Sequence, residues 1–220
     1  MVIIFQRGSG LEYFVLLLSG IIHYNMLFQT LSNSSSAIYG NAPMLLQIKL
    51  EPLVLVAASF VKSMRTSLVG IPIFLFLFLT LNPIISFRLL AYPLILVLWI
   101  WLCWSLSILA ATASVYSRDL EKFIPFLAQI LMYLSPVIFS VTYFPTELYD
   151  IFLLNPIAVI FALLQWCFVG APLPPTHSLL LLPVSLTLLF YFAHWGYARG
   201  RRNFTKALWP WHTLAFPWKR

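Results

Sequence analysis

Few side chains in this sequence could do chemistry, and their spacing excludes most of what chemistry could be. His23, His177, His194 and His212 are scattered without ligand spacing, and Cys103 and Cys167 both sit in apolar runs. A metal site or a disulfide framework is therefore not expected. No Gly-rich phosphate loop, paired-carboxylate arrangement or catalytic triad is present, so the chain carries no means of its own to hydrolyse a nucleotide. Three features remain. One is the charged cluster Arg118-Asp119-Leu120-Glu121-Lys122, which directly follows one apolar run and directly precedes another. The second is a pair of breaks, Leu134-Ser135-Pro136-Val137 and Leu154-Asn155-Pro156, with no Lys or Arg between them. Proline frees backbone carbonyls that a wet cavity can satisfy, so these breaks predict helices that dip into one face of a membrane and stop. The third is Trp99, Trp101 and Trp104, near the middle of an apolar run and away from the span ends where Trp belts sit. Stacking on sugar rings and plain helix packing are both open to them.

The elements that position these residues follow from composition. The chain is 61% hydrophobic and 9% charged, with a mean hydropathy of +0.92. So few charges cannot cover a water-exposed surface, and the fold class is an all-α integral membrane protein forming a single domain over residues 1–220. The net charge of +7 does not point to nucleic acid, because the basic residues sit at span ends and form no polar patch. A bilayer core of about 30 Å needs roughly 20 helical residues. Five such spans are expected, over about 11–31, 53–81, 91–115, 123–143 and 178–198. No period-2 alternation supports a barrel, so every backbone amide must be paired within a helix.

Lys and Arg set the orientation. With the C-terminus cytoplasmic, the inner segments hold Lys49, Lys62, Arg65, Arg118, Lys122, Arg199, Arg201, Arg202, Lys206, Lys219 and Arg220, against Arg7 and Arg88 outside. Five spans then place the N-terminus outside. The first span runs into Ser32-Asn33-Ser34-Ser35-Ser36, a stop followed by a new start. Residues 37–52 after it are either a short amphipathic cytoplasmic helix or an interfacial loop. The second span is too long for one crossing and must tilt or project inward. Ser59, Lys62, Ser63 and Thr66 fall on it as one polar stripe, with Lys62 and Arg65 either snorkelling at the inner interface or facing a wet seam. Trp166, Trp195 and Tyr197 fit an interfacial belt, and the basic, Trp-rich tail from Arg199 suits anchoring on anionic lipid.

Tyr116-Ser-Arg118-Asp119-Leu120, Pro125-Phe126-Leu127, Ser135-Pro136-Val137-Ile138, Pro145 and Leu154-Asn155-Pro156, in this order and spacing, resemble the permease subunit of ABC-2 type exporters. The nearest branch is the one exporting O-antigen, capsule and teichoic-acid polymers. The likeness extends upstream through Tyr13-Phe14-Val15 and Leu18-Ser19-Gly20 and covers nearly the whole chain. It implies a homodimeric permease in a bacterial inner membrane, bound to two copies of a separate ATPase that holds the ATP and Mg, with no cofactor in this chain and a lipid-linked polysaccharide as substrate. It further implies coupling to the ATPase through the segment carrying Asn41, Pro43, Gln47 and Lys49. A cytoplasmic brace at Arg118 and Asp119, with an ion pair to a neighbouring helix as one form of it, also follows. So does an outer gate shaped by Ser135, Pro136, Asn155 and Pro156. Two departures stand out: the family's usual first helix is expected to be absent, with residues 1–7 as its outer end, and the Arg often found shortly after Asn-Pro is Gln165 here.

Three rival classes remain. A permease for small hydrophobic compounds shares the fold. A secondary transporter would place ionisable residues inside its spans, which these lack apart from Lys62 and Arg65. A glycan-modifying enzyme would need acid–base groups near an interface, where only His177, Glu147 and Asp150 are available.

Overall fold

Serine and proline placement decides where the helices of this apolar chain begin and end. A computed structural model describes residues 10–47, 50–81, 87–140 and 152–215, and every regular element among them is helical. In chain order these are α1 (Gly10–Ser35), α2 (Ala42–Gln47), α3 (Pro52–Leu81), a 3-10 turn (Phe87–Ala91) running into α4 (Tyr92–Tyr116), α5 (Asp119–Tyr133), α6 (Pro156–Phe168) and α7 (Thr176–Ala215).

Among the described residues, four stretches are long and apolar enough to cross a membrane: Tyr13–Ser35, Pro52–Thr80, Phe87–Tyr116 and Thr176–Arg201. The stretch expected as the fourth of five spans, 123–143, is not one continuous helix. α5 starts earlier, at Asp119, and stops at Tyr133, and the chain then turns from Leu134 to Ser140. At 1.5 Å per residue α5 covers only about 22 Å, short of a bilayer core. Pro136 supplies the physical reason, since it has no N–H to continue the ladder. Residues 141–143 lie outside the described residues, as do Glu147 and Asp150. Of the two readings open for 37–52, a short helix and an interfacial loop, the described residues show both: a helix over Ala42–Gln47 follows a turn in which the Asn41 carbonyl accepts from the amides of Met44 and Leu45 at 3.0 and 3.1 Å.

The spans are not equivalent. α1 and α4 are 56% and 50% buried over their most apolar stretch, whereas α3 and α7 are 29% and 17% buried. α1 and α4 thus form the centre, and α3 and α7 show apolar faces outward. Val69, Ile73 and Phe76 on α3, and Leu188, Phe192 and Trp195 on α7, are exposed. An apolar surface this extensive needs lipid or a partner to cover it. No Asp, Glu, Lys or Arg is buried among the described residues; the buried polar groups are serines, threonines, His23 and Gln165.

Hydrogen bonds along the bundle fix the register. The Ser19 carbonyl can only accept, so Nδ1 of His23 carries the proton that meets it at 2.7 Å. Nε2 of His23 then accepts from the Tyr92 hydroxyl at 3.0 Å, and the Trp99 indole donates to the His23 carbonyl at 3.2 Å. Nearer the Arg118 end, the Ser34 and Ser107 hydroxyls pair at 2.7 Å, and Asn33 donates to Ser63 at 2.9 Å. Ser63 in turn donates to the carbonyls of Gln29 and Ser59. α1 and α4 therefore run side by side in one direction, with α3 returning between these levels. The expected stripe of Ser59, Lys62, Ser63 and Thr66 is divided: Ser63 is fully buried against α1, while Lys62, Arg65 and Thr66 are exposed.

A Tyr92→Phe substitution removes the donor to His23 Nε2 and leaves a buried acceptor unpaired. The expected loss is about 1–3 kcal/mol, read as a lower thermal unfolding midpoint of the detergent-solubilised protein. An unchanged midpoint would show that this pair does not hold α1 to α4.

Candidate functional site

The two proline breaks meet around α6. Asn155 caps this helix, its side-chain oxygen accepting from the Ile157 amide at 3.0 Å, and Pro156 occupies the first turn, where a missing N–H costs nothing. Nearly all of α6 is buried, yet its 13 residues reach only about 20 Å, well short of a full span. Phe161 packs edge-on against Trp99 at 5.2 Å, and Phe168 against Tyr92 at 5.0 Å. α6 therefore rises beside the first part of α4 and ends at the Arg88 end of the bundle, where the Cys167 thiol reaches the Arg88 carbonyl at 3.4 Å and the Arg88 guanidinium lies 5.8 Å from the Trp166 ring. Its capped start, at the opposite end, is half-buried. There Leu153, Pro156 and Val159 face Ser178, Leu182 and Ser185 of α7 across a cavity of about 160 Å³.

Gln165 joins the second break to this helix. It is the one amide in an otherwise apolar helix, and it is buried. Its Nε2 donates to the Pro136 carbonyl at 2.7 Å and to the Phe139 carbonyl at 2.9 Å. The turn after α5 is thereby fastened to α6, and α1 backs it from the other side. A Cβ at Gly20 would run into the Val137 carbonyl, so only glycine permits this approach. The Tyr24 hydroxyl donates to the Ala128 carbonyl. Ser135 is fully buried in this junction, and its hydroxyl has no partner among the described residues. The four expected gate residues thus occupy two places: Ser135 and Pro136 lie by the Gln165 half of α6, and Asn155 and Pro156 lie at its far start.

Between α1 and α5 a groove of about 420 Å³ is lined by Ile21, Tyr24, Asn25, Phe28, Gln129, Met132 and Tyr133. It combines apolar walls with amide and hydroxyl groups, a lining suited to an amphipathic ligand.

At the Arg118 end the charged cluster opens α5. Asp119 and Glu121 lie in its first turn, where carboxylates complement the helix dipole. The Arg118 guanidinium lies over the Tyr39 ring at 5.2 Å, an aromatic partner where an ion pair with a neighbouring helix was one expectation. Pro125 cannot donate to the Glu121 carbonyl, and the Ser35 hydroxyl reaches that carbonyl at 3.4 Å. Asn41 donates to the Ala37 carbonyl at 2.8 Å, Pro43 and Gln47 are exposed on α2, and Lys49 lies outside the described residues. Beside them Glu51 pairs with Arg201 at 3.2 Å, both half exposed. The Tyr197 hydroxyl accepts from the Leu53 amide at 3.0 Å, capping α3.

The three tryptophans do not converge. Trp99 is fully buried, with its ring against Phe161 and its N–H used, so no face is left for a sugar. Trp104 packs edge-on against Phe60 at 5.1 Å, and Trp101 lies partly exposed beside Phe190. Of the expected belt, Trp195 is exposed with Arg199 over it at 5.1 Å, but Tyr197 is buried and acts as a cap. Sequence reasoning missed Gln165 as a clamp, although its isolation in an apolar run was a visible signal. It also missed Gly20 and Tyr24, for which nothing local gives a signal.

A Gln165→Leu substitution removes the donor to both turn carbonyls. Faster amide hydrogen exchange confined to residues 134–140 is expected, by roughly tenfold for each 1.4 kcal/mol lost. Unchanged exchange there would rule out the clamp. Comparison of the sequence with protein-family models and with curated proteins finds no match in either.

Proposed function

We propose that this chain is the membrane-embedded permease subunit of an ABC-2 type exporter, moving a lipid-linked polysaccharide with energy from a separate ATPase. The observation that carries the reading is the pair of interrupted helices, α5 with its turn and α6, joined through Gln165 beside Ser135 and Pro136, two of the four residues that the family likeness assigns to an outer gate. Helices that stop partway bring polar groups into an apolar layer, which continuous spans do not, and the buried Ser135 hydroxyl beside the clamp has no partner among the described residues. The groove between α1 and α5 lies alongside and gives a lipid-linked chain both apolar wall and polar edge.

In this reading the chain works as a homodimer. ATP-driven closure of two docked ATPases pushes on the α2 segment, with Asn41, Pro43 and Gln47 in the contact zone. The push passes through Tyr39 and Arg118 to the start of α5, since the Arg118 guanidinium rests on the Tyr39 ring. α5 then carries the motion to the Ser135-Pro136 turn. Asp119 steadies the first turn of α5 against the helix dipole. The chain supplies no acid–base step; ATP and Mg belong to the partner. One observation favours a second reading: the groove volume lies within the roughly 300–1,000 Å³ of ordinary small-molecule sites, which suits an exporter of small hydrophobic compounds.

Arg118→Ala removes a contact of about 0.5–1 kcal/mol. It is expected to lower polymer display at the cell surface by roughly two- to fivefold, with membrane insertion intact. Normal display by Arg118→Ala and Asp119→Ala alike would remove the brace from the mechanism. Affinity purification of the full chain should also bring down an ATPase. Polymer-independent export of a hydrophobic dye would select the second reading.

A further inference from the structure

The outward face of α3 carries two cations on an otherwise apolar helix. Val61, Lys62, Arg65, Thr66, Val69 and Ile73 are all exposed, and neither Lys62 nor Arg65 makes an ion pair with a described residue. A charge at the centre of a bilayer costs about 2.5–3.5 kcal/mol on insertion scales, so their depth matters. The polar layer fixes that depth, because Ser63, the neighbour of Lys62, is bonded to Asn33, and Ser34 is bonded to Ser107. From Ser63 to the far end of α3 is about 27 Å, and from Ser107 back to Phe87 about 30 Å. That is one hydrocarbon thickness. Lys62 and Arg65 therefore lie at the headgroup level of the leaflet on the Arg118 side, with Arg88 near the opposite one.

The charge pattern selects the occupant. α3 has no acidic residue, Glu51 just before it is engaged by Arg201, and Asp119 and Glu121 belong to the first turn of α5. A second copy seated symmetrically on this face would set cations against cations. An anionic phospholipid supplies what is missing: acyl chains for Val61, Val69 and Ile73, and a phosphate for the cations. We propose that Lys62 and Arg65 form a binding site for the phosphate of an anionic phospholipid, with Thr66 as a further hydroxyl donor. The Arg65 guanidinium can hold two phosphate oxygens at once, and the Lys62 ammonium adds a mobile point charge. This inference depends on the membrane reading and not on the exporter reading, so export assays and lipid binding can fail separately.

The test uses the full chain in detergent, with dioleoylphosphatidylglycerol and dioleoylphosphatidylcholine offered together and retained lipid counted by native mass spectrometry. The wild type should retain phosphatidylglycerol over phosphatidylcholine by on the order of tenfold, given attraction from two basic residues. Lys62→Gln with Arg65→Gln should abolish the preference. Lys62→Arg should keep it, as should Arg201→Gln, whose exposed cation is already paired with Glu51. Equal retention of the two lipids by the wild type would overturn the site, as would a preference that survives the double substitution. Displacement of phosphatidylglycerol by excess inorganic phosphate would equally overturn it, because the site would then take a free anion and not a lipid.

Discussion

The helix breaks and ends at Pro125, Pro136, Pro156 and Leu53 are each met by a polar side chain, a donor at the first two and an acceptor at the last two, and that requirement shapes the bundle. Within a low-dielectric interior an unpaired carbonyl costs about as much as a lost hydrogen bond, with no water to replace it. Pro125 leaves the Glu121 carbonyl without its helical donor, and the Ser35 hydroxyl, which donates to the Ser32 carbonyl at 2.9 Å, lies 3.4 Å from it on α1. Pro136 ends α5, and Gln165 donates to the carbonyls of the turn that follows. Asn155 caps α6 from its own side chain, and Tyr197 caps α3 from α7. These cross-links run α1 to α5, α5 to α6 and α3 to α7. The polar side chains at the breaks therefore hold together elements that apolar packing alone would let slide.

Between these links the packing is aromatic and specific. Phe168 meets Phe74, Phe78 and Tyr92 edge-on at 4.8, 5.2 and 5.0 Å, which seats the end of α6 against both α3 and α4. Such edge-to-face pairs add about 0.5–1.5 kcal/mol each beyond area burial. At the other end Phe204 inserts between Tyr116 and Tyr197, tying the extension of α7 to the close of α4. The short helix α6 is thus held at its C-terminus by rings and at its N-terminus by a cap.

The sequence announced the spans and the breaks because hydropathy and proline act locally. The positions of α1, α3, α4 and the start of α7 could be read from apolar runs alone, and Ser135-Pro136 and Asn155-Pro156 marked real helix ends. The fourth run, 123–143, was misread for length, because α5 gives its first turn to Asp119–Lys122 and residues 134–140 form a turn. Trp99 illustrates what sequence could not settle: its place in the middle of a run fitted either a ligand surface or a packed core. Only the register of α6 buried its ring. Gly20 and Tyr24 gave no local sign at all, since their partners lie on α5 and the turn after it.

Those distant partners impose an order on biosynthesis. The Tyr24 hydroxyl and the Ala128 carbonyl it serves are 104 residues apart. At about 5–20 residues per second, α1 waits for roughly 5–20 s after its own synthesis before that acceptor emerges. During this interval the notch at Gly20 and the Tyr24 hydroxyl, midway along the apolar stretch Tyr13–Ser35, are without their partners on α5 and the turn after it. The central helix thus meets α3 and α4 well before α5, and its packing is completed in stages.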